Sequence, residues 1–150
     1  MTIVRASLEH VKPVAELFDL YRQFYQQPSD PALAGAFIRE RIENGESAVF
    51  LALENGSAAG FVQLYPSFCS VEAIRIQILY DLFVKKEFRR GGIAEALMNR
   101  ATEFARESGA KRIDLLTGVE NFAGQALYEK LGYRRLPPEF FPYSLEVQDK

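Results

Sequence analysis

Two glycines and four cationic residues lie where an apolar segment gives way to a helical pattern. Within FVKKEFRRGGIA, the cations are Lys85, Lys86, Arg89 and Arg90, and the glycines are Gly91 and Gly92. A helix N-terminus has unpaired N–H groups and the positive end of the dipole, and glycine removes the Cβ that would keep a diphosphate away. The segment has neither the Walker nor the Rossmann spacing. It fits either a pyrophosphate site or a cationic surface turn.

A second group of chemically competent residues lies in NFAGQALYEKLGY. Asn121, Gly124 and Tyr128 stand at i, i+3 and i+7, which stacks them on one face of a helix. Glycine within a helix costs about 1 kcal/mol relative to alanine. Either a ligand passes close to this face, or Gly124 packs against another helix and Tyr128 is an ordinary amphipathic aromatic.

Composition excludes several classes of function. The 150 residues fit one domain, 1–150, and 48% apolar with 25% charged residues is typical of a globular protein. A net charge of −2 gives no reason to bind nucleic acid, and no apolar run approaches the ~20 residues of a membrane span. One histidine, His10, and one cysteine, Cys69, cannot build the usual zinc site, so no metal is expected. The lone cysteine and the absence of a signal peptide pattern favour a cytoplasmic protein.

Apolar periodicity predicts the elements of the first half of the chain. TIVRAS alternates as a strand, Ser7 begins an amphipathic helix, and Asp30 caps a second helix that ends at Gly45. A β-hairpin with an Asn-Gly turn is predicted for the next segment, with strands SAVFLALE and AAGFVQLYP joined by NGS. A long strand follows. Alternation puts Ile74, Ile76, Ile78, Tyr80, Leu82 and Val84 on one face, and Arg75, Gln77 and Asp81 on the other.

The second half of the chain predicts two more helices and further strands. After the glycines, apolar residues recur at three- and four-residue steps up to Gly109, as in a helix with one buried face. RIDLLT predicts a strand, NFAGQALYEKL a helix that Gly132 ends, and YRR and YSLEVQ two more strands. The fold class is therefore α+β, with about four helices packed on a mixed, mostly antiparallel sheet.

Together the two motifs resemble the GNAT superfamily of N-acetyltransferases. In that family, a strand ending in valine leads to Arg/Gln-x-x-Gly-x-Gly/Ala at a helix N-terminus; the matching residues here are Val84, Arg89, Gly92 and Ala94. About thirty residues on, the family has Asn-x-x-Ala-x-x-Leu-Tyr-Glu-Lys-x-Gly-aromatic. This chain has Asn121, then Gly124 in place of alanine, then Leu127, Tyr128, Glu129, Lys130, Gly132 and Tyr133. LYDLFV is similar to small bacterial amine and diamine acetyltransferases, although Tyr80 stands where polyamine enzymes carry glutamate.

The resemblance implies a donor, acetyl-coenzyme A, and the residues that bind it. It implies a sheet of six to seven strands with a splayed central pair, whose open strand pairs with the pantetheine arm through Leu82, Phe83 and Val84. The pyrophosphate would bind main-chain N–H groups from Arg90 through Gly91, Gly92 and Ile93 to Ala94, with Arg89 assisting. Asn121, Gly124 and Tyr128 would border the same ligand.

Acetyl transfer needs a proton for the leaving thiolate and a neutral amine. The resemblance assigns the first role to Tyr128, because a phenol of pKa ~10 protonates a thiolate of pKa ~8.5 at a cost of only about 2 kcal/mol. Neutralising an alkylammonium of pKa ~10.4 at neutral pH costs about 4–5 kcal/mol. Asp81 is the candidate general base. A sheet-edge ion pair with a neighbouring cation explains it equally well.

The acceptor pocket has the weakest sequence signals. Aromatics at the end of the first helix (Phe18, Tyr21, Phe24 and Tyr25) could pack an amine's carbon chain or simply form a core stripe. Tyr25, Tyr65, Tyr80 and Asp81 are the candidate substrate-binding residues. The expected acceptor is a small-molecule amine. A protein lysine or N-terminus, and a non-catalytic acyl-coenzyme A sensor, remain alternatives, and a homodimer stays open.

Overall fold

A computed structural model describes residues 1–149. The chain divides into two compact units, residues 1–116 and the residues from Thr117 onward. The assignment of the whole sequence to a single domain remains a prediction. Over the described residues, no helix combines the length and apolarity needed to cross a membrane.

The first unit is a five-stranded sheet with three helices. Its strands are β1 (Thr2–Arg5), β2 (Ala48–Glu54), β3 (Ser57–Cys69), β4 (Ile74–Val84) and β5 (Arg112–Asp114), in the order β1-β2-β3-β4-β5. Its helices are α1 (Val11–Phe24), α2 (Pro31–Glu43) and α3 (Ile93–Glu107), with short 3-10 turns at Leu8–His10 and Lys86–Phe88. Neighbouring strands are antiparallel except β4 and β5, which are parallel. The predicted mixed, mostly antiparallel α+β architecture is confirmed.

Several local predictions are also confirmed. Asp30 caps α2, where its Oδ1 accepts a hydrogen bond from the Leu33 N–H at 3.1 Å. The β2–β3 connection has positive φ at Asn55 (51°) and Gly56 (81°), the conformation that an Asn-Gly hairpin turn requires. The helix predicted to begin after Ser7 instead starts with the 3-10 turn, and α1 begins at Val11.

Helices cover both faces of the sheet, which explains why β2 is a continuous apolar run. Val49 and Leu51 pack with α1 and α2 in one cluster. Phe50, between them, points to the other face, where its ring lies 5.5 Å from that of Phe104 on α3. The buried stripe of α3 is the predicted one: Ile93, Leu97, Met98, Ala101 and Ala105 are all buried.

The prediction of six to seven strands is wrong for the described residues, which contain five. The segments predicted as strands around Tyr133–Arg135 and 143–148 adopt no strand. Tyr143, Leu145 and Val147 alternate as strand residues do, yet each is more than 85% exposed. A strand forms only when its backbone groups find a partner strand, and prolines 137, 138 and 142 lack the N–H group that a ladder needs.

Candidate active site

The long strand β4 carries an irregularity at the predicted catalytic carboxylate. Against β3, Asp81 pairs with Gln63, whereas Leu79 pairs with Leu64, so that Tyr80 has no partner. This β-bulge breaks the strict alternation that the sequence predicted for residues 74–84. Tyr80 is 66% exposed, whereas Asp81 is only 3% exposed. Bulges of this kind redirect side chains and are common next to active sites.

Asp81 is a buried acid held in a polar chain. Its Oδ2 accepts a hydrogen bond from Gln63 Nε2 at 2.5 Å. Gln63 Oε1 in turn accepts one from Ser47 Oγ at 2.7 Å. Burial raises the pKa of the Asp81 carboxyl, and hydrogen bonds from Gln63 and Tyr21 oppose that rise. No cation pairs with Asp81 among the ion pairs of residues 1–149, so the alternative of a sheet-edge ion pair has no support.

Three tyrosines surround this carboxylate. The Tyr21 hydroxyl donates to the Tyr80 carbonyl oxygen at 3.0 Å, and Asp81 is a second acceptor close by. Burial, and then the charge of Asp81, raises the pKa of Tyr21 far above its ordinary value. The same two causes raise the pKa of Tyr65 to about 12. The rings of Tyr65 and Tyr80 meet edge to face at 5.8 Å. Both half-buried phenols therefore remain neutral, and the Asp81 carboxylate is the candidate proton acceptor among these groups.

The structure brings together three of the four predicted acceptor-site residues and adds others. Tyr25 is set further out: it is 49% exposed and contacts Tyr21, with ring centroids 5.0 Å apart. Sequence reasoning singled out Tyr21 only as one of an aromatic group and missed Gln63 and Ser47. A glutamine inside the apolar run GFVQLY was a usable signal, because a buried amide needs specific partners.

Beside this acid, one edge of β4 is open. The strand β5 pairs only with Ile76, Gln77 and Ile78, so within residues 1–149 the part of β4 from Leu79 to Val84 has no partner strand on that side. This is the splayed pair that the resemblance implied. Leu82 and Phe83 are half-buried and Val84 is buried. Backbone groups of this segment that face the open edge can pair with the amide-bearing arm of a coenzyme, except the Val84 carbonyl, which accepts from Arg89. Pairing of the coenzyme with Leu82, Phe83 and Val84 stays a prediction.

The glycine segment after β4 is shaped for an anion. Gly92 is the N-cap of α3 with φ 79°, and Arg90 also has positive φ, 67°. Gly91 precedes the N-cap, and Ile93 and Ala94 are the first two residues of the helix. The first hydrogen bond of the helix runs from the Ala96 N–H to the Gly92 carbonyl. The N–H groups of this first turn therefore have no helical partner. Arg89 Nε donates to the Val84 carbonyl at 2.9 Å, which ties the cationic loop to the end of the strand. These residues fit a diphosphate.

The second unit contains the other predicted motif, on α4 (Phe122–Lys130). Asn121 is the N-cap: its Oδ1 accepts from the Gly124 N–H at 3.1 Å and its Nδ2 donates to Thr117 Oγ1 at 2.9 Å. A Cβ at Gly124 would lie 2.5 Å from Asn121 Nδ2. Gly124 is therefore the third residue of the helix, where it makes room for the cap, and not a mid-helix glycine. Tyr128 lies one turn further on, with its ring 6.0 Å from that of Tyr133.

Comparisons with known proteins agree with this arrangement. Residues 14–133 match the model of the acetyltransferase (GNAT) family. The chain is 42% identical over 150 residues to the uncharacterized N-acetyltransferase YhfO of Bacillus subtilis (strain 168), covering 100% of both chains. It superposes on the crystal structure of a probable acetyltransferase with TM-score 0.89 and 40% identity, again over 100% of each chain. It is 25% identical to the thialysine N-epsilon-acetyltransferase of Caenorhabditis elegans, covering 89% of this chain and 83% of that protein.

Proposed function

This chain belongs to the GNAT family of acetyltransferases and is an acetyl-coenzyme A-dependent N-acetyltransferase; we propose that its acceptor is a primary amine of a small molecule. The observation that carries the proposal is the buried carboxylate of Asp81, surrounded by tyrosines, beside the open edge of β4. A carboxylate attracts an alkylammonium, and tyrosine rings pack its carbon chain. The C. elegans relative, by its name, acetylates the ε-amine of thialysine, which is a small molecule.

Asp81 takes the first proton of the acceptor in the proposed reaction. An alkylammonium must lose this proton before its nitrogen can attack, at a cost of about 4–5 kcal/mol at neutral pH. A base that burial has made more basic than an exposed carboxylate lowers that cost, directly or through a water molecule. A general base of this kind contributes typically about 10²–10⁴-fold to a rate.

The remaining steps use the backbone of β4 and Tyr128. The neutral nitrogen attacks the acetyl carbonyl carbon, and an N–H group among Leu82, Phe83 and Val84 stabilises the oxyanion. The C–S bond breaks, and Tyr128 gives its proton to the thiolate. The nitrogen loses its second proton as the amide forms, and that proton restores the Tyr128 phenol. The role of Tyr128 rests on the motif LYEKLGY alone.

Donor binding is assigned to the segment around Gly92. The main-chain N–H groups from Arg90 to Ala94 bind the pyrophosphate, and the cations Lys85, Lys86 and Arg89 add positive potential. Asn121 and Gly124 border the coenzyme in the family motif. In this chain their side-chain and backbone groups also cap α4.

A panel of acceptors tests the proposal. Thiol release from acetyl-coenzyme A is measured with linear alkylamines, diamines, lysine analogues and amino sugars, and with peptides that carry a lysine or a free N-terminus. We expect turnover with at least one small amine, with product confirmed by mass spectrometry. Turnover with peptides alone would refute the small-molecule acceptor. Coenzyme binding without turnover on any amine would instead indicate a sensor.

We also propose that the protein forms a homodimer. The support is a series of exposed apolar side chains in the C-terminal part of the chain: Leu136, Phe140, Phe141, Tyr143, Leu145 and Val147. Large exposed apolar patches mark interaction sites, and these six side chains lie within 12 residues of the sequence. Light scattering after size exclusion should give twice the 17.0 kDa of one chain. A mass of one chain at micromolar concentration would contradict the proposal.

A further inference from the structure

Gln63 is a polar side chain in a setting that normally excludes one. It is fully buried, and so are its neighbours Val62 and Leu64 on β3. A primary amide without partners in such a site costs free energy, so its hydrogen bonds must offset its burial. Both ends of the amide are bonded, one to Ser47 and one to Asp81.

The chemistry of the two partners gives this chain a direction. An ionised carboxylate only accepts hydrogen bonds, so the NH₂ group of Gln63 faces Asp81. The Oε1 atom then faces Ser47, whose hydroxyl can donate to it. Ser47, just before β2, donates to the Oε1 end and so stabilises the orientation that the carboxylate on β4 imposes on the amide.

The same pair lies at the boundary of the β-bulge. Gln63 and Asp81 are direct cross-strand partners, and the register shifts at the next residue of each strand, where Tyr80 is left unpaired. At a bulge the backbone hydrogen bonds between the two strands are locally interrupted. The side-chain hydrogen bond from Gln63 therefore holds Asp81 at the point where the backbone constrains it least.

We propose that Gln63, supported by Ser47, is a positioning residue that fixes the Asp81 carboxylate and keeps it ionised for proton transfer from the acceptor amine. This inference rests on the proposed role of Asp81. A hydrogen-bond donor to Oδ2 stabilises the charged carboxylate against the cost of burial. Without it, Asp81 would titrate at higher pH and would be protonated at pH values where the enzyme now works.

The substitutions used to test the proposal leave the other titratable groups that face this site in place. They are Tyr21 from α1, Tyr65 from β3 and Tyr80 from β4 itself, while Arg41 and Glu46 act on Tyr65. Burial and the charge of Asp81 raise the pKa of Tyr21 and of Tyr65, so these two hydroxyls stay neutral across the pH range of the assay.

The test compares Gln63→Met with the matched control Gln77→Met. Gln77 is also a buried glutamine of the sheet, 2% exposed, but its Nε2 donates to Ser108 Oγ at 3.2 Å, away from Asp81. The pH dependence of kcat/KM is measured for each variant with an amine accepted by the wild type. For Gln63→Met we expect the acidic limb to move up by about one pH unit or more, with a corresponding tenfold loss at the pH of the wild-type limb. For Gln77→Met we expect no movement.

Two further variants keep the test decisive. Ser47→Ala should move the limb in the same direction by less, and it serves if Gln63→Met fails to fold. Gln63→Glu places a second carboxylate beside Asp81 and should move the limb furthest, because like charges disfavour ionisation. An unmoved limb in the folded variants overturns the proposal. If Asp81→Asn retains full turnover, the proposed proton acceptor itself is wrong. Loss of turnover in Asp81→Asn with an unmoved limb in Gln63→Met refutes only the role of Gln63.

Discussion

Substitution of Gly92 by asparagine and by aspartate separates the charge of the donor site from its fold. Gly92 is the N-cap of α3 at φ 79°, and no atom lies within 4 Å of a Cβ built there. Asparagine and aspartate are good N-caps and tolerate positive φ better than other side chains. Both variants should therefore fold, and they differ only in one negative charge beside the proposed diphosphate.

The size of the effect follows from Coulomb's law. Two unit charges about 5 Å apart repel by roughly 1–3 kcal/mol for an effective dielectric constant between about 80 and 20. The dissociation constant of coenzyme A should therefore be about 5- to 150-fold higher for Gly92→Asp than for Gly92→Asn. The difference should shrink as salt is added, because screening weakens the repulsion.

Titration calorimetry with coenzyme A measures this difference, and thermal unfolding checks that both variants fold. Gly91→Ala is the control for a small side chain in the same loop, because Gly91 has no positive φ and a Cβ there would make only an ordinary contact, 3.6 Å from the Phe88 carbonyl oxygen. It should fold as the wild type does, so any loss of coenzyme affinity in it reports the added Cβ and not a charge. Equal affinity of the aspartate and asparagine variants would show that the diphosphate binds elsewhere, and the donor-site assignment would be wrong.

Four further substitutions test the acid, the sheet, the helix α2 and the proton donor. Asp81→Asn should lower kcat by about 10²–10⁴-fold with unchanged coenzyme affinity. Folding raises the pKa of Asp81, so the wild type should lose stability relative to this variant as pH rises from about 4 through the raised pKa. The difference between the urea midpoints of the two proteins is measured at pH 4 and at pH 8, and an equal difference at both would contradict the prediction. Gly60→Ala places a Cβ 2.7 Å from the Phe83 carbonyl oxygen and should cost about 1–3 kcal/mol of unfolding free energy, whereas Gly35→Ala in α2, with open space at its Cβ, should gain about 0.5–1 kcal/mol. Tyr128→Phe should reduce turnover and leave coenzyme affinity nearly intact; undiminished turnover would remove Tyr128 from the mechanism.

Local sequence signals predicted the elements where one interaction type dominates. The Asn55–Gly56 turn follows from the left-handed conformation that few other residues adopt. The helix α3 follows from apolar residues at three- and four-residue steps, and five of them are buried. The conformation of the segment proposed to bind the donor was predictable for the same reason, since Gly92 and the first turn of α3 form one continuous stretch of chain.

Signals failed where the outcome depends on partners distant in sequence or on exact helix bounds. Alternation predicted the faces of β4, but the register shift opposite Gln63 and Leu64 left Tyr80 unpaired and exposed. Alternation also predicted a C-terminal strand, yet no strand forms over residues 143–148. The pattern around Gly124 indicated a mid-helix glycine, because the sequence prediction placed Asn121 inside the helix, whereas Asn121 is its N-cap.

The sequence by itself determined the family, the donor and the segment proposed to bind the donor, because all three depend on glycines, cations and a helix start that are adjacent in the chain. Only the tertiary structure decided the state of Asp81. Its burial, its bond to Gln63 and the tyrosines around it come from α1, β3 and β4, which are separated by up to about 60 residues. The pKa of a carboxyl depends on the groups that surround it in space, and a linear pattern does not encode that arrangement.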